Sequence, residues 1–332
     1  MKPKHTGVWT IAEIEDETIN PVSYELLAWG KGLAETLKVE LTSIVLANKV
    51  KDIESLIHYG ADKVYYVEND KLEHFYPDTY TKILQQMIEE IKPEIILASA
   101  TTKGRTLMPC LAAKLRTGLT ADCTDFEIEE ETRSLIQIRP AIGGNVMAKI
   151  KTMTRPQMAT VRPKSKQPLP KDENRRGEII KKEIKQETYQ SRYTWINYKK
   201  DESIDQPIQQ ADVIIAGGKG IRKQENFKYL KEIAERLNGA VGATRAVVDM
   251  GWIDYSHQIG LSGKTVSPKL YIALGISGAV QHIAGMSTSK YIISINKDPE
   301  APIFKVSDLG IIGDATEIIP LLAKEIKQGD KK

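Results

Sequence analysis

The chain is expected to fold as an α/β protein with two open, mainly parallel sheets, and three observations point there. Short apolar runs alternate with stretches of helical period from residue 6 onward, the pattern of strands joined by crossover helices. Glycine-containing turns follow several of those runs directly, at Thr101 to Arg105, Gly217 to Gly220 and Gly275 to Gly278. The length, 332 residues, leaves room for two domains of roughly 150 residues, each with a core of its own.

The first domain follows from its elements in order. Residues 6–13 (TGVWTIAE) predict a strand and Pro21 to Lys38 a helix, with Val22, Leu26, Leu33 and Leu37 at helical spacing. Leu41 to Ala47 is a second strand. Asp52 is expected to cap a short helix ending at Tyr59-Gly60. Lys63 to Val67, a helix over Asp78 to Ile91 and the strand Glu94 to Ser99 complete an alternation that implies parallel pairing with right-handed crossovers. The turn Thr101 to Arg105 opens a helix to Leu115; it either binds a nucleotide, caps the helix or packs on a partner subunit.

Beyond Thr132 the period shortens. Ser134 to Arg139, Asn145 to Lys151 and Gln157 to Arg162 read as strands of a smaller, more exposed sheet, with Gly143-Gly144 as a turn. Residues 163–200 carry eleven Lys/Arg against five Asp/Glu and prolines at 163, 168 and 170. They read as a solvated linker followed by a strand near Tyr193 to Tyr198, with single-stranded nucleic-acid binding as the minor alternative. Asp201 to Gln210 marks the boundary, giving domains 1–203 and 204–332.

Composition narrows the function. The net charge of +3, from 47 basic and 44 acidic residues, gives no global attraction to nucleic acid. No apolar run approaches the ~20 residues of a bilayer span, and the N-terminal stretch is no signal peptide, so a cytoplasmic protein is expected. Cys110 and Cys123 fit no zinc or iron–sulfur spacing. Any electron chemistry therefore needs an organic cofactor.

The second domain carries the ligand signals. Val213 to Ala216 runs into Gly217-Gly218-Lys219-Gly220, and a helix over Glu225 to Leu237 follows. The loop lacks the third glycine of GxGxxG and the acidic residue expected about 20 positions on, so direct NAD binding is weakly supported. Gly260-Leu261-Ser262-Gly263-Lys264-Thr265 ends like a phosphate loop, but Gln258 stands where its first glycine belongs and no helix opens after it. The strand Leu270 to Leu274, the turn around Ser277, a helix start over Ala279 to Ala284 and the strand Tyr291 to Ile295 present first-turn N–H groups to an anion. Read from pattern alone, that anion is a nucleotide or a cofactor.

The wording says more. Gly275 to Met286 (GISGAVQHIAGM) and Ile295 to Phe304 (INKDPEAPIF) closely resemble the signature of electron-transfer flavoprotein alpha subunits. The resemblance is specific from about Ala211 onward, while the first two-thirds agree in the order of elements. It implies two Rossmann-like open-sheet domains, the second a doubly wound parallel sheet holding one FAD. In that family Lys219, usually Arg, sits at the pyrophosphate. Thr244 and Arg245 lie beside the flavin ring, where a cation favours the charge that electrons bring. Gln258, Ile259, Gly260, Leu261 and Ser262 lie against the ring, with the Ser262 hydroxyl bonded to it. Ser277, Gly278, Ala279, Val280, Gln281 and His282 face its pyrimidine edge, His282 adding a donor or a positive charge. Asn296 and Asp314 serve the adenosine half, and Asp314 is also a cap for the last helix, Thr316 to Ile326.

The resemblance further implies an electron carrier paired with a beta subunit that has its own FAD or AMP. Leu261, where many members have Gln, is similar to the NADH-oxidising, bifurcating branch. There NADH reacts at the beta-subunit flavin, and electrons go to ferredoxin and to an acyl-CoA dehydrogenase or quinone oxidoreductase. An NAD-dependent enzyme and a non-redox nucleotide sensor or adaptor are the alternatives.

Overall fold

The computed structural model describes residues 5–141, 146–197 and 207–329. The chain divides into two units, residues 1–139 with 147–198 and residues 140–146 with 199–332. The expected turn at Gly143-Gly144, Asn145 and the stretch 198–206 of the expected boundary lie outside the described residues.

In the first unit β1 (Val8–Ile11) is followed by a small hairpin, β2 (Ile14–Glu15) and β3 (Thr18–Ile19), and by α1 (Val22–Leu37). Then come β4 (Leu41–Ala47), α2 (Ser55–His58), β5 (Lys63–Glu68), α3 (Pro77–Ile91), β6 (Ile95–Ser99) and α4 (Thr102–Leu115). The unit ends with β7 (Leu119–Cys123), β8 (Asp125–Glu129), β9 (Ser134–Pro140), β10 (Met147–Lys151), β11 (Gln157–Val161) and β12 (Glu178–Lys181). A seven-stranded parallel sheet runs in the order β12-β5-β4-β1-β6-β11-β7, and β10-β9-β8 form a separate small sheet. Alternate residues of β1 feed opposite faces, as the pleat requires. Val8 packs with Leu26, Leu33 and Leu37 of α1. Trp9 packs with Ile83, Met87 and Leu107 of α3 and α4.

Several expectations are corrected here. Gln157 to Arg162 is no strand of the small sheet: β11 lies between β6 and β7, and all five of its residues are buried. Its polar positions misled because they are satisfied internally. Gln157 Oε1 accepts from Leu135 N–H (2.7 Å), and Gln157 Nε2 donates to the carbonyls of Thr152 (2.7 Å) and Leu135 (3.3 Å). One amide thus stitches the main sheet to β9. Asp52 does not cap α2: its φ of 53° places it in a left-handed turn, and Glu54 holds the cap position. No strand forms over residues 193–197; the basic stretch instead contributes β12, which pairs in parallel with β5.

The second unit is a single five-stranded parallel sheet, order β14-β13-β15-β16-β17. Its strands are β13 (Val213–Gly217), β14 (Ala240–Ala243), β15 (Leu270–Leu274), β16 (Tyr291–Asn296) and β17 (Leu309–Ile312). Its helices are α5 (Phe227–Arg236), the short α6 (Arg245–Asp249), α7 (Val280–Ile283) and α8 (Ala315–Gly329). Phe227, Leu230, Ile233 and Ala234 of α5 share one apolar cluster with Ile319 and Ala323 of α8, Ile215 of β13 and Leu274 of β15. β13 lies between β14 and β15, and the chain passes first to one side of it and then to the other, so the loops after β13 and β15 flank the crevice where such sheets receive ligands. No helix among the described residues is long and apolar enough to cross a membrane.

Removing the Gln157 amide strands a buried N–H and two carbonyls. Gln157→Leu is expected to lower the unfolding free energy by roughly 3 kcal/mol in urea titrations, with little change in the native circular dichroism spectrum.

Candidate functional site

All five strands of the second unit end at one edge, and the loops leaving them enclose a cavity of about 660 Å³. The first wall is the loop after β13. Gly218 N–H donates to Leu274 O and Gly220 N–H to Gly275 O, both at 2.9 Å. A Cβ on Gly220 would lie 2.7 Å from the Cα of Gly275, so these two loops meet backbone to backbone. The glycines are required by that contact before any ligand is considered. Lys219 and Arg222 then project from a tight 3-10 turn over Lys219–Ile221.

The loop after β14 brings Thr244, Arg245 and Ala246 to the cavity. Thr244 N–H bonds Gly217 O (3.1 Å), and Arg245, with its side chain 70% exposed, also pairs with Asp249 at 3.2 Å. Residues 258–264 form the opposite wall. Ile259 N–H bonds Ala243 O, and Leu261 N–H bonds Gln281 O, both at 2.9 Å. Ile259, Gly260, Leu261 and Ser262 line the cavity. Buried Gln258 does not line it; its Nε2 donates to Ser262 Oγ (3.0 Å) and fixes that hydroxyl from behind.

After β15 come Gly275, Ile276, Ser277, Ala279, Gln281 and His282, all on the wall. Gly278 and Val280 are not. Gly278 has φ +87°, and a Cβ there would fall 2.2 Å from the nitrogen of Ile303, so it packs on the following segment. Asn296 and Lys297 after β16, and Asp314 and Ala315 after β17, close the far end. Asn296 Nδ2 donates to Ile276 O (2.8 Å), tying two wall loops together. Asp314 caps α8: its Oδ1 accepts from Thr316 N–H (2.9 Å) and Thr316 Oγ1 (2.7 Å).

His282 differs from expectation. Its backbone N–H is taken by Ala279 O (2.8 Å), its Nδ1–H donates to Ile259 O (3.0 Å), and Tyr271 OH donates to its Nε2 (2.9 Å). Burial lowers its pKa to about 4, so the ring is neutral at physiological pH. It supplies no positive charge and has no ring N–H to spare. Its work is to hold the 258–262 loop against α7.

Thirteen of the residues singled out from sequence therefore share one cavity wall. Reasoning from sequence missed Gly218, Gly220, Arg222, Ala246, Gly275, Ile276, Lys297 and Ala315. Arg222 and Lys297 were legible in principle, because each is a cation within a few residues of a strand end.

The donor set suits an elongated anionic dinucleotide. The wall carries Lys219, Arg222, Arg245 and Lys297 against the single carboxylate of Asp314, with apolar Ile259, Leu261 and Ile276 beside them. In the first unit the corresponding turn is bonded to its own neighbours. Thr101 Oγ1 accepts from Gly104 N–H as the cap of α4 and donates to Glu13 Oε1 at 2.5 Å. The adjoining cavity, lined by Glu13, Lys103 and Gly104, is about 30 Å³, room for a water and not for a nucleotide. Neither described cysteine is bridged, and no metal-binding cluster occurs among the described residues.

Comparison with known proteins agrees with this geometry. Residues 8–187 match the electron transfer flavoprotein domain, and residues 207–287 match the electron transfer flavoprotein FAD-binding domain. The chain is 46% identical over 330 residues to the electron transfer flavoprotein subunit alpha of Clostridium acetobutylicum, covering 98% of each. It is 44% identical to the subunit of the same name from Megasphaera elsdenii, covering 98% of this chain and 97% of that one. It is 40% identical to the lactate dehydrogenase (NAD(+),ferredoxin) subunit LctC of Acetobacterium woodii, covering 98% of this chain and 78% of that one.

The buried histidine makes the second unit acid-sensitive in a defined window. Above about pH 6.5 the ring is neutral whether folded or not, so it has no effect on stability. Between 6.5 and the folded value of about 4 the unfolded chain binds the proton more readily, and stability is lost as the pH drops. Urea titrations at pH 7 and 5 should show this loss, up to about 3 kcal/mol over the whole window, shrinking in His282→Asn.

Proposed function

The chain belongs to the electron transfer flavoprotein alpha-subunit family, and from that premise we propose that it binds one FAD in the cavity of its second unit and relays electrons through it. The observation that carries this reading is the cavity itself: four cations, one carboxylate and an apolar wall, built largely from the family's FAD-binding segment. FAD, when bound, supplies the one- and two-electron chemistry. The side chains bind and bias. Lys219 and Lys297 offer cations to the pyrophosphate, Asn296 and Asp314 offer polar atoms to the adenosine half, and Thr244 and Ser262 offer hydroxyls. Arg245 stands where a positive charge favours electron arrival on the ring, and His282, neutral and bonded at both nitrogens, keeps the wall in place.

The alpha subunits of this family pair with a beta subunit. We infer that the partner here carries its own FAD or AMP, and that the pair oxidises NADH at the beta-subunit flavin. One electron of each pair goes to ferredoxin and the other, through this chain's FAD, to an acyl-CoA dehydrogenase or quinone oxidoreductase. Two observations support this finer reading. Leu261, 58% exposed, puts an apolar side chain on the cavity wall. The relative from Acetobacterium woodii bears NAD(+) and ferredoxin in its name.

Two measurements follow. Replacing Arg245 by Ala should lower the midpoint potential of this FAD, because a cation favouring the reduced state is lost. Solvent screens so exposed a group, so the expected effect is about 1 kcal/mol, roughly 40 mV for one electron. For bifurcation, NADH is added to the two-subunit protein with ferredoxin, with and without the high-potential acceptor. Ferredoxin should be reduced only when the acceptor is present; an acceptor that turns over while ferredoxin stays oxidised would reject the finer reading and leave the flavoprotein assignment standing.

A further inference from the structure

Among the four cations of the cavity wall, Arg222 pairs with the wall's own carboxylate. Its Nη2 donates to Asp314 Oδ2 at 2.6 Å, joining the loop after β13 to the cap of α8. The contact is made from a backbone with φ 65° and ψ −31°, a left-handed region that a residue with a side chain occupies only when its surroundings require it. Asp314 meanwhile uses its other oxygen for Thr316, so the guanidinium and the cap together engage both carboxylate oxygens.

We infer that Arg222 is a phosphate-binding residue held in reserve on Asp314, and that it transfers to the dinucleotide's diphosphate when the cavity fills. The inference rests on the FAD reading above. Three points of chemistry support it. A diphosphate approaching this wall meets the Asp314 carboxylate as a like charge, and the repulsion is removed only if a cation stands between them. Guanidinium bonds phosphate in a two-pronged fashion, and a doubly charged diphosphate outcompetes a single carboxylate at a half-exposed site. The Asp314 Oδ2 that is vacated then receives a ribose hydroxyl, so the exchange leaves no group without a partner. In the empty protein the same pair neutralises Asp314 and joins two wall elements.

The experiment uses the full-length chain with its beta subunit, stripped of flavin, and follows FAD uptake and release by stopped-flow fluorescence. Arg222→Gln should speed FAD release about tenfold, the loss of one charge-assisted contact, and Arg222→Lys should recover part of it. Asp314→Asn keeps an oxygen for Thr316 and so keeps the cap, but it weakens the hold on Arg222 and should speed FAD association. Unchanged release in Arg222→Gln, or unchanged association in Asp314→Asn, overturns the exchange and leaves a static surface ion pair. If the unmodified protein takes up no FAD at all, the cofactor reading falls first and this inference with it.

Discussion

The site depends on one close approach. The loops leaving β13 and β15 touch backbone to backbone at Gly218, Gly220 and Gly275, and a methyl group on Gly220 would be pressed onto the neighbouring Cα. Because that contact draws the two central loops together, Lys219 and Arg222 come to face Ser277 and Gln281 across one space. The other walls are then tied to these two: Ile259 to Ala243, Leu261 to Gln281, Asn296 to Ile276. Short carbonyl and amide bonds, not large apolar surfaces, set the distances around the cavity. Such bonds are directional, and a wall made of them keeps its spacing.

The two units treat the same architectural opportunity in opposite ways. Both have a glycine-bearing turn after a parallel strand. In the first, the Thr101 hydroxyl at the start of α4 is bonded to the Glu13 carboxyl, whose pKa burial pushes up. In the second, the equivalent positions present cations to an open space.

Much of this was legible in the sequence. Uniform apolar runs such as Leu41 to Ala47 and Leu270 to Leu274 became fully or nearly fully buried parallel strands, as their composition requires. Of the residues the family wording singled out, thirteen line one cavity, while Gln258, Gly278 and Val280 do not. What stayed hidden depended on contacts distant in sequence. Gln157 looked like a half-exposed strand residue because its partners, Leu135 and Thr152, are chosen by tertiary packing. Glu178 to Lys181 carries two charges in four residues and reads as linker, yet it adds an edge strand where one face can stay wet. His282, expected as a donor or a positive charge, is neutral with both ring nitrogens bonded, and nothing in the local sequence reveals that Tyr271, eleven residues earlier, buries a hydroxyl against it.

That hydroxyl has a consequence for motion. With Tyr271 donating to Nε2 and Ile259 receiving from Nδ1, the imidazole beside the cavity has no vacancy for an incoming proton and no freedom to turn. Negative charge arriving nearby is met by dipoles and cations that already point the right way, not by atoms that must first rearrange. A ring so braced stays in one orientation and is closed to acid–base traffic.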